Sequence, residues 1–360
     1  MPPASPPRRS PRILLVTQDF PPAVGGIETY AHELARRWAN TAAHLVVLAP
    51  VRRDTAAAAA AFDRAAPFPV VRTRIPIEAF GLVGGPLLAA LIRRHAIDTL
   101  FHAQWQSSPS AGLLRRAGVV RQLAIAAHGR ELLLRPLAAR PAAQRAYDAV
   151  RRRSLAAADM LLPVSRYTAG LIQRIGVVHP RVHIVGNGTD PEYFTPGDPT
   201  AFRARHGLGT GPDAPPIVGQ VGRLVARKGV DDLLRAWPQI RALAPRPPLL
   251  LLVGGGPDRP RLEALARALE LGDSVRFLGR VPHAELVDAY RACDVFVTAS
   301  REDEPDVEGF GIVFLEAGAC GRPVVGARSG GIPDAIVDGE TGLLVPPSAP
   351  AALADAVLRL

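Results

Sequence analysis

The chain has 360 residues, enough for two ordinary domains with a core each. Apolar residues make up 48% of it, so it is expected to fold. No apolar run reaches bilayer-spanning length, since the longest, AFGLVGGPLLAALI over 79–92, is broken by glycines and a proline. The formal net charge of +10 would suit nucleic acid, anionic lipid or phosphorylated substrates, or would simply follow from an Ala/Arg/Pro-rich composition.

Residues 1–11, MPPASPPRRSP, are proline-rich and lack the apolar stretch of a signal peptide, so they read as a disordered tail. A cytoplasmic location follows, with Cys293 and Cys320 as free buried thiols. Strands are expected at 12–17 (RILLVT), 44–49, 98–103, 122–127, 159–164 and 181–186, with helix-like stretches such as 26–39 between most of them. Residues 196–215 are rich in Pro, Gly and Asp and read as a linker. Beyond it the alternation restarts. Strands are expected at 216–222, 248–254, 274–279, 294–299 and 322–327, and helices at 229–240, 259–271, 283–293 and 311–320, the first with Pro238 near its end. Continuous apolar strands between helices predict an α/β chain of two parallel sheets, each covered on both faces. The expected domains are 12–195 and 216–360. Ligands of such sheets bind beyond the carboxyl ends of the strands, and two arrays face to face would hold one in the gap between them.

Lys228 is the only lysine among 43 basic residues. Arg223 follows the strand 216–222 and Lys228 lies on the same loop, before a helix. Both are expected exposed at the mouth of the sheet. A planar fork beside a compact point charge suits a phosphate or a departing pyrophosphate, and a surface pair flanking a helix start is the plainer alternative. In EPDVEGFGIVFLEAGACG, Glu308 precedes Gly309, Phe310 and Gly311, and Glu316 follows inside the next helix. The glycines would expose backbone N–H groups to an anion, and Glu316 could accept from two vicinal hydroxyls, as on a ribose. The alternative is a solvated acidic loop, with Glu316 as an ordinary helix-surface residue. A metal reading of the acidic run is disfavoured, because Pro305 breaks it and no histidine accompanies it. Gly25 and Gly26, after the first strand, would admit a close backbone approach to a ligand, although a bare tight turn is the default. His128 stands at a strand's carboxyl end, as does His102 with weaker support.

Taken in order, PPAVGGIETY, AHGRE, NGTD, GRLVARKG, VGGGP, VRFLGRV, VEGFGIVFLEA and SGGIPDAIVDGETGLLV resemble glycosyltransferase family 4, retaining enzymes of the GT-B fold with two Rossmann-like domains. DFPPAVGGIETY and DVEGFGIVFLEAGA look most like the branch with GDP-mannose-dependent phosphatidylinositol mannosyltransferases. The resemblance implies that Arg223 and Lys228 hold the donor pyrophosphate and that Glu316 binds the ribose. Glu308 would hold the donor-sugar hydroxyls, helped by the amides of Phe310 and Gly311, with Gly309 also among the donor-binding residues. Backbone from Arg276 and Phe277 to Val281 would face the base. Gly25 and Gly26 would close on the phosphates, and His128 would touch the sugar. It implies no metal and no other cofactor, a lipid-linked or glycan acceptor, and no nucleic-acid partner. Family members usually finish with helices that cross back onto the first domain, whereas this sequence stops within the helix-like APAALADAVLRL. Arg130, Arg135, Arg140, Arg145 and Arg151–Arg153, set among leucines and alanines, are expected to form a basic amphipathic face for anionic lipid at the inner side of a membrane, or a merely solvated one. The rival readings are a non-catalytic nucleotide-sugar-binding protein and a GT-B epimerase or phosphorylase.

Overall fold

The computed structural model describes residues 10–23, 25–51 and 53–360, the side chains of Ile77 and Glu78 excepted. The tail expected over 1–11 lies outside the described residues as far as residue 9. Pro11 is already held, its carbonyl accepting the Ala43 N–H at 2.9 Å. The chain divides at Val185/Gly186 into two compact units.

The first unit carries β1 (Arg12–Val16), β2 (His44–Pro50), β3 (Val70–Thr73), β4 (Thr99–His102), β5 (Gln122–Ala127) and β6 (Met160–Pro163). They form one parallel sheet in the order β3-β2-β1-β4-β5-β6. Successive side chains serve opposite faces. Leu14, Val16, Val46 and Leu48 enter one core, and Ile13, Leu15, Leu45 and Val47 enter the other. Double burial explains why these strands are apolar without a break.

The second unit repeats the plan with β7 (Ile217–Val221), β8 (Leu249–Val253), β9 (Val275–Gly279), β10 (Val295–Thr298), β11 (Val324–Ala327) and β12 (Leu343–Val345). Their order is β12-β11-β10-β7-β8-β9. Leu250 and Leu252 pack on one face, and Leu249, Leu251 and Val253 on the other. In both units the strand order reverses beside the first strand, between β1 and β4 and between β7 and β10. An open α/β sheet has its binding crevice at such a reversal, past the carboxyl ends of the strands.

Several expectations need correction. Residues 196–215 are not a bare linker: the helix Thr200–Arg205 lies there, with Phe202 and Leu208 in the second unit's core. Arg203 fastens it, donating to the Ala292 carbonyl at 2.6 Å and to Asp294 at 3.0 Å. Residues 181–186 form no strand beyond the bridge Leu161↔Val182, and Ile184 and Val185 are exposed. The edge strands β3 and β12 were not expected. Pro238 sits inside the helix Val230–Leu243 rather than at its end. The final helix, Pro350–Leu358, packs through Leu353 and Val357 into the core that holds Trp237.

The basic region 130–153 is not one helix face. It comprises the short helix Arg130–Leu133 and the helix Pro141–Ala156. Arg151 is buried, donating to the Leu132 carbonyl at 2.8 Å and to Asp148 at 2.8 Å, so it is not available to lipid. Arg130, Arg135, Arg140, Arg145, Arg152 and Arg153 are exposed. Among the described residues no helix is long and apolar enough to cross a membrane.

Candidate active site

The second unit's crevice is built from two loops, one leaving β7 and one leaving β10. The β7 loop turns through Gly222 and Arg223, passes Arg227 and Lys228, and enters the helix Val230–Leu243 at Gly229. Gly229 has φ of 62°, and a Cβ there would run into the Ala299 carbonyl, so glycine lets the two loops touch. The Arg301 N–H then donates to the Arg227 carbonyl at 2.8 Å. The Arg301 side chain reaches back to Asp231 and Asp232 in the first turn of that helix.

Three charged groups meet at this junction. The Lys228 ammonium donates to Glu308 Oε2. Arg227 Nη1 donates to the same oxygen at 2.7 Å, and Arg227 Nε lies 3.2 Å from Asp306. Burial by itself would push the Glu308 carboxyl up, but the charges of Lys228 and Arg227 outweigh it and hold it at about 2. The carboxylate is therefore ionised at neutral pH. Lys228 has three N–H donors, and the ion pair uses one of them.

The expectation of an exposed Lys228 is corrected: it is 6% exposed. Glu308 arrives from the β10 loop and covers it. Arg223 is exposed as expected, and its guanidinium has no partner among the described residues. The two cations share a loop but not an environment.

Glu316 lies in the helix Ile312–Ala319 and is 8% exposed, which removes the reading of it as an ordinary surface residue. Its Oε2 accepts the Tyr290 hydroxyl at 2.5 Å. Burial raises its carboxyl above the usual range, with the Tyr290 bond and the nearby Lys228 charge pulling the other way. Gly309, Phe310 and Gly311 lead into this helix, with Gly311 at its N-cap. Gln220 on β7, Thr298 on β10, Ser300 just after it and Ser329 after β11 are buried, and their side-chain polar atoms have no partner among the described residues. Buried polar groups are ordinarily hydrogen-bonded, so this cluster marks a place suited to a polar ligand.

Arg276, Phe277 and Val281 belong to the edge strand β9 and the turn after it, two strands from β7. Arg276 is exposed, and Phe277 lies 6.0 Å from the Arg259 guanidinium. The structure does not bring their side chains to the Lys228–Glu308 pair. Among the described residues no group of three His, Cys, Asp or Glu is placed to hold a metal ion.

The first unit has its own crevice. Gly25 and Gly26 begin the helix Gly26–Trp38 after β1, and the Gly25 carbonyl accepts from the Thr29 N–H at 3.1 Å. The neighbouring Val24 lies outside the described residues. His128 follows β5. Its Nε2 lies 3.0 Å from the Ala103 carbonyl, its ring meets Tyr30 edge-on at 4.6 Å, and its N–H donates to Glu131 at 2.7 Å. Burial pushes the imidazole down, so it is neutral at pH 7, with Nε2 as the donor and Nδ1 left as the acceptor. His102 is fully buried and bonded through Nδ1 to Ser107 at 2.7 Å. Burial lowers it to about 3, which makes it a core histidine.

Arg227 and Tyr290 carry contacts that the sequence did not single out. Arg227 is one arginine in an arginine-rich chain. Tyr290 reads as a core residue of its helix.

Comparison with known proteins gives the family. Residues 24–193 match the family described as Glycosyltransferase Family 4, and residues 209–360 match Glycosyl transferases group 1. The chain is 35% identical over 341 residues to a GDP-mannose-dependent α-(1-6)-phosphatidylinositol monomannoside mannosyltransferase of Mycolicibacterium smegmatis, covering 92% of this chain and 85% of that protein. It is 37% identical over 359 residues to the protein of the same description in Mycobacterium tuberculosis, covering 97% and 89%. The crystal structure of Anabaena HepE in complex with UDP superposes with a TM-score of 0.75 at 23% identity, over 97% of this chain and 89% of that one, which shows the shared GT-B fold. With two Rossmann-type units, each matching its half of the family, and relatives that match almost end to end, the chain belongs to glycosyltransferase family 4, enzymes that take their sugar from a nucleotide-sugar donor.

Proposed function

We propose that the protein transfers mannose from GDP-mannose to a hydroxyl of a phosphatidylinositol-based acceptor, with retention at the anomeric carbon. The observation that carries this reading is the Lys228–Glu308–Arg227 junction at the β7/β10 reversal, in a chain 35–37% identical to proteins described as using that donor on that class of acceptor. Arg223, exposed and unpartnered, and Lys228, with two N–H groups in hand, are the groups that meet the diphosphate. Their charge is worth most where it counts, on the leaving diphosphate as its negative charge grows. Glu308 and the amides of Gly309, Phe310 and Gly311 receive the sugar hydroxyls. Glu316 receives the ribose. Backbone after β9, from Arg276 and Phe277 to Val281, meets the base. On the first unit, His128 serves the transferred sugar and Gly25 and Gly26 leave room for backbone approach.

In the reaction the bond from the anomeric carbon to the diphosphate oxygen breaks. The bond to the acceptor oxygen forms on the same face, and the acceptor proton passes to the departing diphosphate. The donor's own phosphate thus acts as base, and the chain's cations keep the transient ion pair together. The exposed arginines Arg145, Arg152 and Arg153 give the first unit a basic surface suited to anionic lipid. Incubation with labelled GDP-mannose and phosphatidylinositol mannoside in vesicles tests the reading. An α-linked mannolipid is expected. Donor consumption without an acceptor, or donor binding without any product on lipid or glycan, would overturn it in favour of an epimerase or phosphorylase, or of a non-catalytic binder.

A further inference from the structure

The Glu316 carboxylate is held by one group, and that group sits in a rigid setting. Tyr290, on the helix His283–Arg291, is fully buried. Its ring lies 5.8 Å from Phe194 and 5.5 Å from Phe296, edge-on to the first and tilted to the second. Phe296 in turn stands edge-on to Phe314, two residues before Glu316 on its helix. Packing on two sides leaves the ring a single orientation, so its hydroxyl is fixed in direction. That hydroxyl donates to Oε2 at 2.5 Å, and Oε1 is left for another donor.

We propose that Tyr290 is a positioning residue for the nucleotide: its hydroxyl fixes one oxygen of Glu316, so that the other is presented to the ribose, and it thereby sets the preference for ribonucleotide over deoxynucleotide donors. This rests on the reading of Glu316 as the ribose acceptor. A hydrogen bond to a carboxylate also favours the charged form, which is the form that can accept two hydroxyls. The other groups that act on Glu316 are Lys228 from the β7 loop, which helps in the same sense, and Tyr193 and Cys320, which stay neutral at pH 7.

The test is calorimetric titration with GDP and UDP. Whichever binds more tightly is then compared with its 2′,3′-dideoxy counterpart, for the wild type, Tyr290→Phe and Glu316→Gln. Tyr290→Phe should bind the ribonucleotide roughly tenfold more weakly, the loss of one bond to a charged group. It should discriminate little against the dideoxy form, and leave kcat at saturating donor within a few-fold of wild type. The acid limb of binding should also move to higher pH in Tyr290→Phe. The diphosphate's own ionisation is common to both proteins and cancels in the comparison. If the wild type discriminates, Glu316→Gln does not, and Tyr290→Phe discriminates with an unmoved limb, Tyr290 is only a packing residue and the ribose role of Glu316 stands. If the wild type shows no ribose preference, both readings fall. Should Tyr290→Phe not fold, difluorotyrosine placed at position 290 keeps the ring and strengthens the donor. The limb should then move to lower pH, and no movement overturns the proposal.

Discussion

The two crevices share a topology and differ in chemistry. Beyond β7 and β10 the second unit gathers Lys228, Arg227 and Glu308, with Arg301 and two aspartates beneath them. Beyond β5 the first unit places the neutral His128, with Glu131 Oε1 accepting the backbone N–H groups of His128 and Gly129, while His102, Gln104 and Ser107 are buried in the core. In each unit the strand reversal says where a ligand can sit, and the side chains say what chemistry it would meet there. On the proposed reading the diphosphate meets positive charge on the second unit, from the exposed Arg223 and from Lys228, which the Glu308 ion pair leaves with two free N–H groups. On the same reading a sugar hydroxyl meets a neutral hydrogen-bonding group on the first unit, His128.

The comparison breaks most easily at Lys228. Lys228→Ala should lower kcat by about 10²–10³-fold, the scale of removing one donor from a developing anion. Because Lys228 is buried against Glu308, the variant should also lose stability. The loss should fall short of the roughly 3–5 kcal/mol typical of a severed buried pair, since Arg227 keeps the carboxylate company. Lys228→Arg should be impaired as well, because a planar fork does not fit the place of a compact ammonium. Steady-state transfer assays with thermal melts separate the two effects. His128→Ala should act more mildly, lowering kcat by about tenfold, the scale of one lost hydrogen bond.

Glu316→Gln should sharpen the picture with the smallest effect. Burial raises the Glu316 carboxyl. Between the unfolded and folded values the native chain holds a proton that the unfolded chain has released, so stability falls as pH climbs through that window. The glutamine variant escapes this loss. It should match wild type near pH 4 and melt higher at pH 7. Melting curves across that pH range check it, and a lower melting point at pH 7 would mean the buried carboxylate is better compensated than its neighbours allow.

Much of this was legible in the sequence. The central strands announced themselves because burial on both faces demands unbroken apolar runs, as in LLLLV of β8. Strands β3 and β12 lie at sheet edges, are partly exposed and carry a weaker pattern. The stretch 196–215 misled because prolines and glycines surround a helix whose anchor is essentially Phe202 and Leu208. Lys228 stood out by being alone, and Glu308 and Glu316 by their place around a glycine pair. Their partners did not. Nothing in a chain full of arginine marks Arg227, and only the packed structure shows that Tyr290 points its hydroxyl at a carboxylate. Sequence spacing shows which groups share a loop, whereas burial and pairing depend on residues far along the chain, such as Glu308 opposite Lys228.

The most direct test of the contrast between the crevices is GDP titration by calorimetry into three proteins: wild type, Lys228→Ala and His128→Ala. The account expects the lysine variant to bind GDP at least tenfold more weakly and the histidine variant to bind it within about a factor of two of wild type. GDP binding that survives loss of Lys228, or that is lost with His128, would contradict it.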